Sequence, residues 1–551
     1  MITPKSPPYD ALDWNTRPFG EKARMVCQAW AVQGYGSPPG VYIVYALKVA
    51  LYIYGWIFFC SFSPELGGMA GIAEWWLHPV AFQKAILWSM LFEVLGLGCG
   101  SGPLTGRYFP PVGGFLYWLR PGTTKLTLLR GVPLLGGNRR NLLDVAAYAG
   151  LLILLSLSLI HARPGFQEFV PIIALLALIG LMDKTIFLAA RAEHYWVTLI
   201  VFAFAPNWIA GAMAVQLALW FFAGFSKLNH HFPTVVCVMA SNGPFTPWGW
   251  FRKAMYKNYP DDLNPSAAAI LKARMGVGLE LSVPVVFFAG VMSGSWTVLM
   301  AGIVLMLMLH VYITSNVPMG VPIEWNFMVV YGGFFFFLAH GHITPFDIGS
   351  VAVGLFILLV SFGLPLLGNL QPDLVSFLVA MRYYAGNWPT SVWLFRGDSY
   401  RKLDRLTKSA PWIYDQLLRF YDEKTAVGLV GKVIAFRLMH LHGRVFSKLL
   451  PEVIDMRDFN EYTWLDGELV AGMALGWNFG DGHLHHEGLM RNLQEQCGFE
   501  PGEVRCIFLE GQPLGRSTIA YRMHDAAEGW LASGQMDVNQ LRGEQPWPAG
   551  A

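Results

Sequence analysis

Residues 296–314 read WTVLMAGIVLMLMLHVYIT, an uninterrupted apolar run that decides the fold class of this chain. The run contains no aspartate, glutamate, lysine or arginine. As an α-helix it would be about 28 Å long, close to the roughly 30 Å thickness of a bilayer's hydrocarbon core. The run therefore predicts a transmembrane helix, with a histidine, His310, near its end.

Similar apolar runs recur along the first two thirds of the chain. They cover residues 41–62, 81–97, 142–160, 170–181, 206–224, 275–290, 327–339 and 348–367. A shorter run, 195–205, either extends the span at 206–224 through a kink or turns back as a partial helix. Charged residues are 14% of the 551, whereas soluble domains have about 25%. We therefore predict an all-α multi-pass transmembrane bundle of eight to ten spans over residues 41–370, not a soluble enzyme.

The distribution of basic residues in the short loops predicts the orientation of the bundle. Residues 63–80 contain no lysine or arginine, whereas residues 101–140 contain six: Arg107, Arg120, Lys125, Arg130, Arg139 and Arg140. Because basic loops stay in the cytoplasm, we expect residues 1–40, the 101–140 loop and the basic tail on that side.

From about residue 371 charges occur regularly and long apolar runs end. Residues 424–450, within a juxtamembrane region 371–460, alternate apolar and basic side chains with helical periodicity. They form either a basic amphipathic helix on the bilayer surface or a helix on a soluble core. The sequence pattern of residues 461–551 predicts a small cytoplasmic α+β domain, and we expect this domain to be the part that binds any protein partner. Its expected elements are strands at 470–477, 504–509, 517–523 and 529–538, and a helix at 485–497.

Composition excludes several other classes of protein. The six cysteines show no CxxC spacing, so neither a disulfide framework nor a zinc ribbon is expected. The net charge is +2 and no long basic tract occurs, so we expect no nucleic-acid partner.

Ionisable side chains at membrane depth are costly and therefore mark functional sites. Three segments form a constellation of such residues: MDKT at 182–185 followed by a histidine, AGFSKLNHHF at 223–232, and HVYITSNVPMG at 310–320. The candidate catalytic residues are Lys227, His310 and His194. The candidate substrate- or ligand-binding residues are Asp183, Lys184, Asn229, His230, His231, Glu280 and Glu324.

These three segments, in this order, resemble the membrane domain of vitamin K-dependent gamma-carboxylases and their bacterial relatives, the HTTM group, over about residues 40–370. RYYAGNW at 382–388 is similar to sequences that follow this domain in bacterial relatives. The resemblance implies that Lys227 deprotonates a hydroquinone at the start of oxygen-dependent epoxidation, with His310 and His194 near that chemistry. The cofactor it implies is a reduced quinone, and it implies no metal.

The whole chain also resembles a bacterial multi-pass membrane family of uncharacterised function that shares SKLNHHFP and GWNFGDGHLH. This likeness implies a bacterial inner-membrane protein. Where gamma-carboxylases often have paired lysines and an aspartate, this chain has Ser226, Lys227 and Asn229, and its tail does not resemble their peptide-binding domain. The resemblance to gamma-carboxylases therefore implies a quinone-like ligand for this chain more strongly than it implies glutamate carboxylation.

A histidine cluster in the tail, GDGHLHHE at 480–487, offers His483, His485 and His486 as candidate metal ligands. The plainer interpretation is a helix cap at Asp481 or Gly482 followed by solvated histidines in the first turn, because no CxxC or HExxH spacing supports a metal site.

Three functions therefore stay open. The first is a membrane enzyme acting on a quinone-like or other lipid-soluble substrate with a lysine base, since burial disfavours a lysine's ammonium form. The second is a non-enzymatic subunit that binds lipid or pigment or helps to assemble a larger complex. The third is a transporter, which ranks last because no inverted repeat is visible.

Overall fold

The computed structural model describes residues 3–99, 107–109, 114–243, 245–315, 322–477, 484 and 486–550. The helices before residue 371 are α1 Ala11–Thr16, α2 Phe19–Gln33, α3 Pro39–Cys60, α4 Ile72–Trp75, α5 Pro79–Val94, α6 Phe115–Trp118, α7 Leu142–Ile160, α8 Phe166–Met182, α9 Lys184–Ala189, α10 Tyr195–Phe204, α11 Trp208–Phe225, α12 Phe232–Ala240, α13 Gly249–Ala254, α14 Ala267–Ser293, α15 Trp296–Thr314, α16 Ile323–Gly333, α17 Val351–Ile357 and α18 Leu364–Leu370. Short π-helical segments, Phe334–Ala339 and Leu358–Gly363, continue α16 and join α17 to α18. Strands β1 Tyr256–Asn258 and β2 Asp262–Pro265 form an antiparallel hairpin.

Six helical stretches in the described residues are long and apolar enough to cross a membrane. They are α3, α7, α11, α14, α15 and the continuous Val351–Leu370 stretch. This is fewer than the eight to ten spans expected, because α8, α10 and Ile323–Ala339 are shorter apolar helices. Helix α5 has only 16 residues and carries buried Lys84 and Glu93.

Local sequence explains where the spans begin and how closely they pack. Asn141 and Asp144 form a capping box at the start of α7, and Ser295 caps α15, so exposed backbone N–H groups find acceptors. Helices α14 and α15 pack closely because small residues lie between them. A Cβ atom at Gly302 would come within 2.6 Å of the Phe287 ring, and one at Gly290 within 2.7 Å of Leu299.

The tail contains helices α19 Ile413–Leu417, α20 Glu423–Met439, α21 Leu441–Val453, α22 Gly467–Leu475, α23 Glu487–Cys497 and α24 Val538–Leu541. Strands β3 Thr390–Arg396, β4 Tyr462–Asp466, β5 Val504–Leu509, β6 Thr518–Asp525 and β7 Gly529–Asp537 form one antiparallel sheet in the order β4-β3-β5-β6-β7. Short 3₁₀ segments lie at Pro64–Leu66, Met69–Gly71, Ser399–Arg405 and Met456–Glu461. The predicted α+β character of the tail is therefore confirmed, and β3 extends the sheet into the region before residue 461.

One predicted strand of the tail was wrong. Residues 470–477 were expected to be extended, but most of them belong to α22. Asp466 caps this helix by accepting from Glu468 N, and the following alanine, methionine and leucine residues favour a helix. Buried helices and buried strands both read as apolar runs, so periodicity alone could not separate them.

The N-terminal segment and the tail share one core. Helix α20 lies against α1 and α2: the Trp30 and Phe436 rings are 5.8 Å apart, and Lys432 Nζ donates to Tyr35 O at 3.0 Å. Residues 424–450 were expected to form a helix either on the bilayer surface or on a soluble core. In the structure they form α20 and α21, and α20 is buried on nearly all sides by the rest of the protein. The 101–140 loop, called the basic loop below, also contacts this core: its Trp118 Nε1 donates to Leu475 O at 2.8 Å.

Candidate functional site

A cavity of about 130 Å³ lies among α11, α12, α14, α15 and α16. Six aromatic side chains line it: Trp220, Phe232, Tyr312, Trp325, Tyr383 and Tyr384. Its polar lining residues are Lys227, Glu280, His310 and Asn326, and the rest are mainly aliphatic. An apolar cavity with a few convergent polar groups is the usual form of a small-molecule site.

Lys227 and Glu280 form a buried ion pair in the wall of this cavity. Lys227 Nζ lies 2.6 Å from Glu280 Oε2 and donates to Oε1 at 2.7 Å and to Ala223 O at 3.1 Å. The two side chains are only 7% and 8% exposed, so the lysine does not reach water. In this charge-compensated pair the Glu280 carboxylate, rather than a neutral Lys227 amine, is the group that can accept a proton.

His310 is held in one tautomer by its two partners. Trp220 Nε1 donates to His310 Nε2 at 3.0 Å, and a tryptophan nitrogen can only donate. His310 Nδ1 therefore carries the proton and donates to Asn326 Oδ1 at 2.9 Å, while Asn326 Nδ2 donates to Pro322 O. Both ring nitrogens are engaged, so in this arrangement His310 orients the Trp220 indole and would have to leave it to accept a proton.

His194 makes the same kind of contact but lies outside the cavity lining. Trp325 Nε1 donates to His194 Nδ1 at 3.2 Å, so His194 lies behind the Trp325 wall. The two predicted histidines thus do the same thing: each fixes, through a nitrogen acceptor, one indole that faces the cavity.

A buried charged network adjoins the Trp325 wall. The Arg191 guanidinium lies 4.7 Å from the Trp325 ring and 5.1 Å from the Tyr383 ring. Arg191 Nε pairs with Glu193 Oε1 at 2.9 Å, and Tyr383 donates to the same oxygen at 2.9 Å. Arg191 and Tyr384 have positive φ, 53° and 50°, a strained conformation that recurs at functional sites.

Glu324, a predicted ligand-binding residue, belongs to the same network. Its Oε2 pairs with Lys48 Nζ at 2.9 Å, and Cys99 Sγ contacts Glu93 Oε1 at 3.3 Å and Glu324 Oε1 at 3.8 Å. Among the described residues, Glu93, Cys99 and Glu324 are the one group of three histidine, cysteine or acidic side chains whose potential metal-binding atoms all lie within 4.8 Å of one another. Lys48 and Arg191 already contact this group, so we interpret it as an ion-pair network rather than a metal centre.

The loop after α11 sends its polar residues in different directions. Asn229 stabilises the loop itself, since its Oδ1 accepts from His231 N at 2.7 Å and its amide donates to Ser226 O. His231 is fully buried, with its ring 4.7 Å from that of His442 in the tail. His230 lines a second cavity. Of the 223–232 segment, Ala223, Lys227 and Phe232 line the first cavity.

Asp183 and Lys184 do not line the cavity either. Asp183 caps α9 through Thr185 N and pairs with Arg140 at 2.5 Å, which ties the basic loop to the α8–α9 junction. Lys184 Nζ lies 3.4 Å from His486 Nε2 in the tail. Both residues therefore join segments of the fold.

Of the three predicted metal ligands, the structure describes one, His486. His483 and His485 are outside the described residues, as is Gly320 of the third segment. His486 is the N-cap of α23 and accepts from Gly488 N at 2.8 Å through Nδ1. The helix cap was expected at Asp481 or Gly482, which lie outside the described residues; the cap of α23 is His486 itself, with Lys184 near its other nitrogen.

Sequence reasoning missed most of the aromatic lining. Trp220 lies in the apolar run 206–224, and Trp325 and Asn326 lie between Glu324 and the run 327–339; nothing in these stretches marks the three as lining residues. Tyr383 and Tyr384 lie in RYYAGNW, so the noted similarity of that segment was the one available signal.

Replacing His310 by phenylalanine is expected to lower the free energy of unfolding by about 1–3 kcal/mol. The ring volume is kept, but Trp220 Nε1 and Asn326 Oδ1 lose buried partners. Thermal unfolding in detergent measures the change. The exposed His342→Phe is the control and should stay within about 0.5 kcal/mol of wild type. Equal effects of the two substitutions would contradict this geometry.

Comparison with known families matches residues 1–551 to a family described as "Transmembrane protein of unknown function (DUF3556)". No curated protein and no solved structure matches the chain at a significant level. The description agrees with the apolar helices found in the structure. The chain therefore belongs to this family of transmembrane proteins.

Proposed function

We propose that this membrane protein binds a lipid-soluble molecule with a flat ring, of the quinone type, and exchanges a proton with it. The observation that carries the proposal is the buried Lys227–Glu280 pair in the wall of an otherwise aromatic cavity. The resemblance of the surrounding segments to gamma-carboxylases and the HTTM group points to the same class of ligand.

The size and lining of the cavity support a ring as the bound part. A cavity of about 130 Å³ is close in size to the roughly 150 Å³ that accepts benzene, which matches a single ring as the bound part. Tyr312 lines the cavity and is 40% exposed, so an apolar tail could leave beside α15 toward lipid. The indoles of Trp220 and Trp325 are fixed by histidines and offer flat faces for stacking.

The ion pair supports proton transfer from a hydroxyl group. A quinol O–H bond would break and its proton would pass to the Glu280 carboxylate, while the Lys227 ammonium would stabilise the oxyanion left behind. In this step Glu280 acts as a carboxylate and Lys227 as an ammonium group, which are the charge states that form the ion pair. Oxidation of the resulting anion, with oxygen as the oxidant, is what the resemblance implies.

Mass spectrometry of products tests the enzymatic proposal. Purified protein is incubated with a reduced naphthoquinone and oxygen, and epoxide and quinone are quantified for wild type and for Lys227→Met/Glu280→Gln. We expect turnover by wild type and a loss of at least about 100-fold in the double variant, the usual size of a general acid–base contribution. The control is Lys125→Met/Asp144→Asn, which removes another buried pair, 2.6 Å apart, outside the cavity.

Equilibrium binding of the oxidised naphthoquinone separates binding from chemistry. Saturable binding without product would remove the enzymatic part and leave a lipid- or pigment-binding protein. This second function is favoured by one observation: Lys227 also donates to Ala223 O, as expected of a residue that joins α11 to α14. Absence of both binding and product from folded protein would overturn the proposal as a whole.

The orientation of the protein is part of the proposal. Because the N-terminal helices, the basic loop and the tail pack together, they lie on one side of the membrane. Six spans, an even number, place the two ends of the chain on one side; the basic loop lies on that side only if α5, between α3 and α7, crosses the membrane as well. The basic loop supports the cytoplasmic side of a bacterial inner membrane, with the exposed tail surface available to a protein partner.

A further inference from the structure

A second cavity, separate from the one that contains Lys227, has a basic lining. Its volume is about 190 Å³, and His230, Lys257, Arg444 and Arg542 contribute to its wall. These residues come from the loop after α11, from β1, from α21 and from the segment after α24. Four distant parts of the chain thus bring basic side chains to one place, and no aspartate or glutamate is among the described lining residues.

The positive charges in this cavity are not balanced by ion pairs. Lys257 and Arg542 have no ion-pair partner among the described residues. Arg444 is buried and donates to neutral oxygens, Glu544 O at 3.0 Å and Asn264 Oδ1 at 3.2 Å. Burial, followed by the charge of Arg542, lowers the pKa of His230.

Two carboxylates lie near the cavity but outside its wall. Glu544 pairs with Lys448 at 2.6 Å. Asp262 accepts from Gln545 Nε2 at 2.8 Å and from Asn264 N at 2.9 Å, and its charge acts on Lys257 and Arg444. The wall itself holds three cations, Lys257, Arg444 and Arg542, against this one carboxylate, so the net field favours an anion.

The cavity lies where a membrane span begins. Ile270, in its wall, is on the first turn of α14, one of the six candidate spans. The β1–β2 hairpin and α21 of the tail provide the opposite parts of the wall. At this level of a membrane protein the abundant anions are phosphate groups, and basic pockets beside spans bind such groups.

We propose that this basic cavity binds a phosphate group, with Lys257 and Arg542 as its main charge partners and Arg444, whose N–H groups mostly bond to protein oxygens, as a fixed positive charge. Arginine and lysine both recognise phosphate oxygens through charge-assisted hydrogen bonds. The phosphate belongs either to an anionic lipid headgroup or to a soluble phosphate compound.

The test measures thermal unfolding of the purified full chain in detergent with phosphatidylcholine. Phosphatidylglycerol is titrated in one arm and inorganic phosphate in the other, each against an equal ionic strength of chloride. We expect a saturable rise of Tm in at least one arm. In Lys257→Gln/Arg542→Gln the half-saturating concentration should rise about tenfold or more, since each charged hydrogen bond contributes at least this factor.

A matched control separates the site from general surface charge. Lys253→Gln/Arg516→Gln removes two basic residues that do not line the cavity and should respond as wild type does. A rise with phosphatidylglycerol alone assigns a lipid headgroup, and a rise with inorganic phosphate assigns a soluble ligand. No saturable rise in either arm, or equal losses in both double variants, would overturn the proposal. Arg542→Gln alone, at an exposed position, repeats the test if the double variant does not fold.

Discussion

Lys227→Met is expected to lower the free energy of unfolding by about 3–5 kcal/mol, because it leaves the Glu280 carboxylate buried without its counter-charge. The two side chains are 7% and 8% exposed and 2.6 Å apart, so water cannot replace the lost partner. Glu280→Gln should have a similar effect for the opposite reason. Denaturant titration of the detergent-solubilised protein measures both changes.

The double variant Lys227→Met/Glu280→Gln is expected to recover most of this stability. Removing both charges removes the cost of burying either one, and a methionine and a glutamine fill nearly the same volume. The surface pair Arg396–Glu461, with side chains 51% and 54% exposed, is the control, and Arg396→Met should cost less than about 1 kcal/mol. Single variants as stable as wild type would show that the pair is not formed as described.

This cycle decides how activity data on Lys227 can be interpreted. A single substitution that abolishes activity could act through unfolding alone. A double variant that folds as wild type but forms no product assigns the pair to the chemistry. If it keeps full activity, the pair is structural.

Acidification below about pH 6.5 is expected to destabilise the protein steeply. Burial lowers the pKa of His231 to about 3 and that of His440 to about 4. Burial also lowers the pKa of His442 well below its ordinary value of 6.5. Between these folded-state values and 6.5 the unfolded chain binds more protons, so stability rises with pH and levels off above 6.5.

The expected slope is about 1.4 kcal/mol per pH unit for each histidine, or about 4 kcal/mol per pH unit for the three together, between about pH 5 and 6. Apparent Tm against pH measures it. In His440→Gln/His442→Gln the slope should fall by about two thirds, whatever the stability of the variant at pH 8. His161→Gln, at a side chain 54% exposed, is the control. An unchanged slope in the double variant would contradict the assignment of acid sensitivity to these histidines.

Properties that depend on a short stretch of chain could be predicted from the sequence. The runs 142–160 and 296–314 were predicted as spans, and they are the helices Leu142–Ile160 and Trp296–Thr314 of the structure. The strand at 504–509 was also confirmed. Length, scarcity of charge and alternation are properties of neighbouring residues, so they can be recognised without knowing the fold.

The candidate site was only partly predictable. Lys227, His310 and Glu280 were selected because charged or polar groups are costly in apolar runs, and all three line one cavity. Asp183, Lys184, Asn229 and His231 were selected on similar grounds, but they join helices, loops and the tail. The free-energy cost of placing a polar side chain at membrane depth indicates that the side chain needs a partner, but it does not identify that partner.

The sequence by itself therefore determined the membrane class of this protein, its longest spans, its folded tail and a short set of costly polar residues. Tertiary structure alone decided that Lys227 meets Glu280, 53 residues away, and that Tyr383 meets Glu193, 190 residues away. It also decided that two tryptophans face the cavity while their histidines lie behind them or beside it. The physical reason is that ion pairs and buried hydrogen bonds act over a few ångströms, and only the packing of distant helices brings such partners that close.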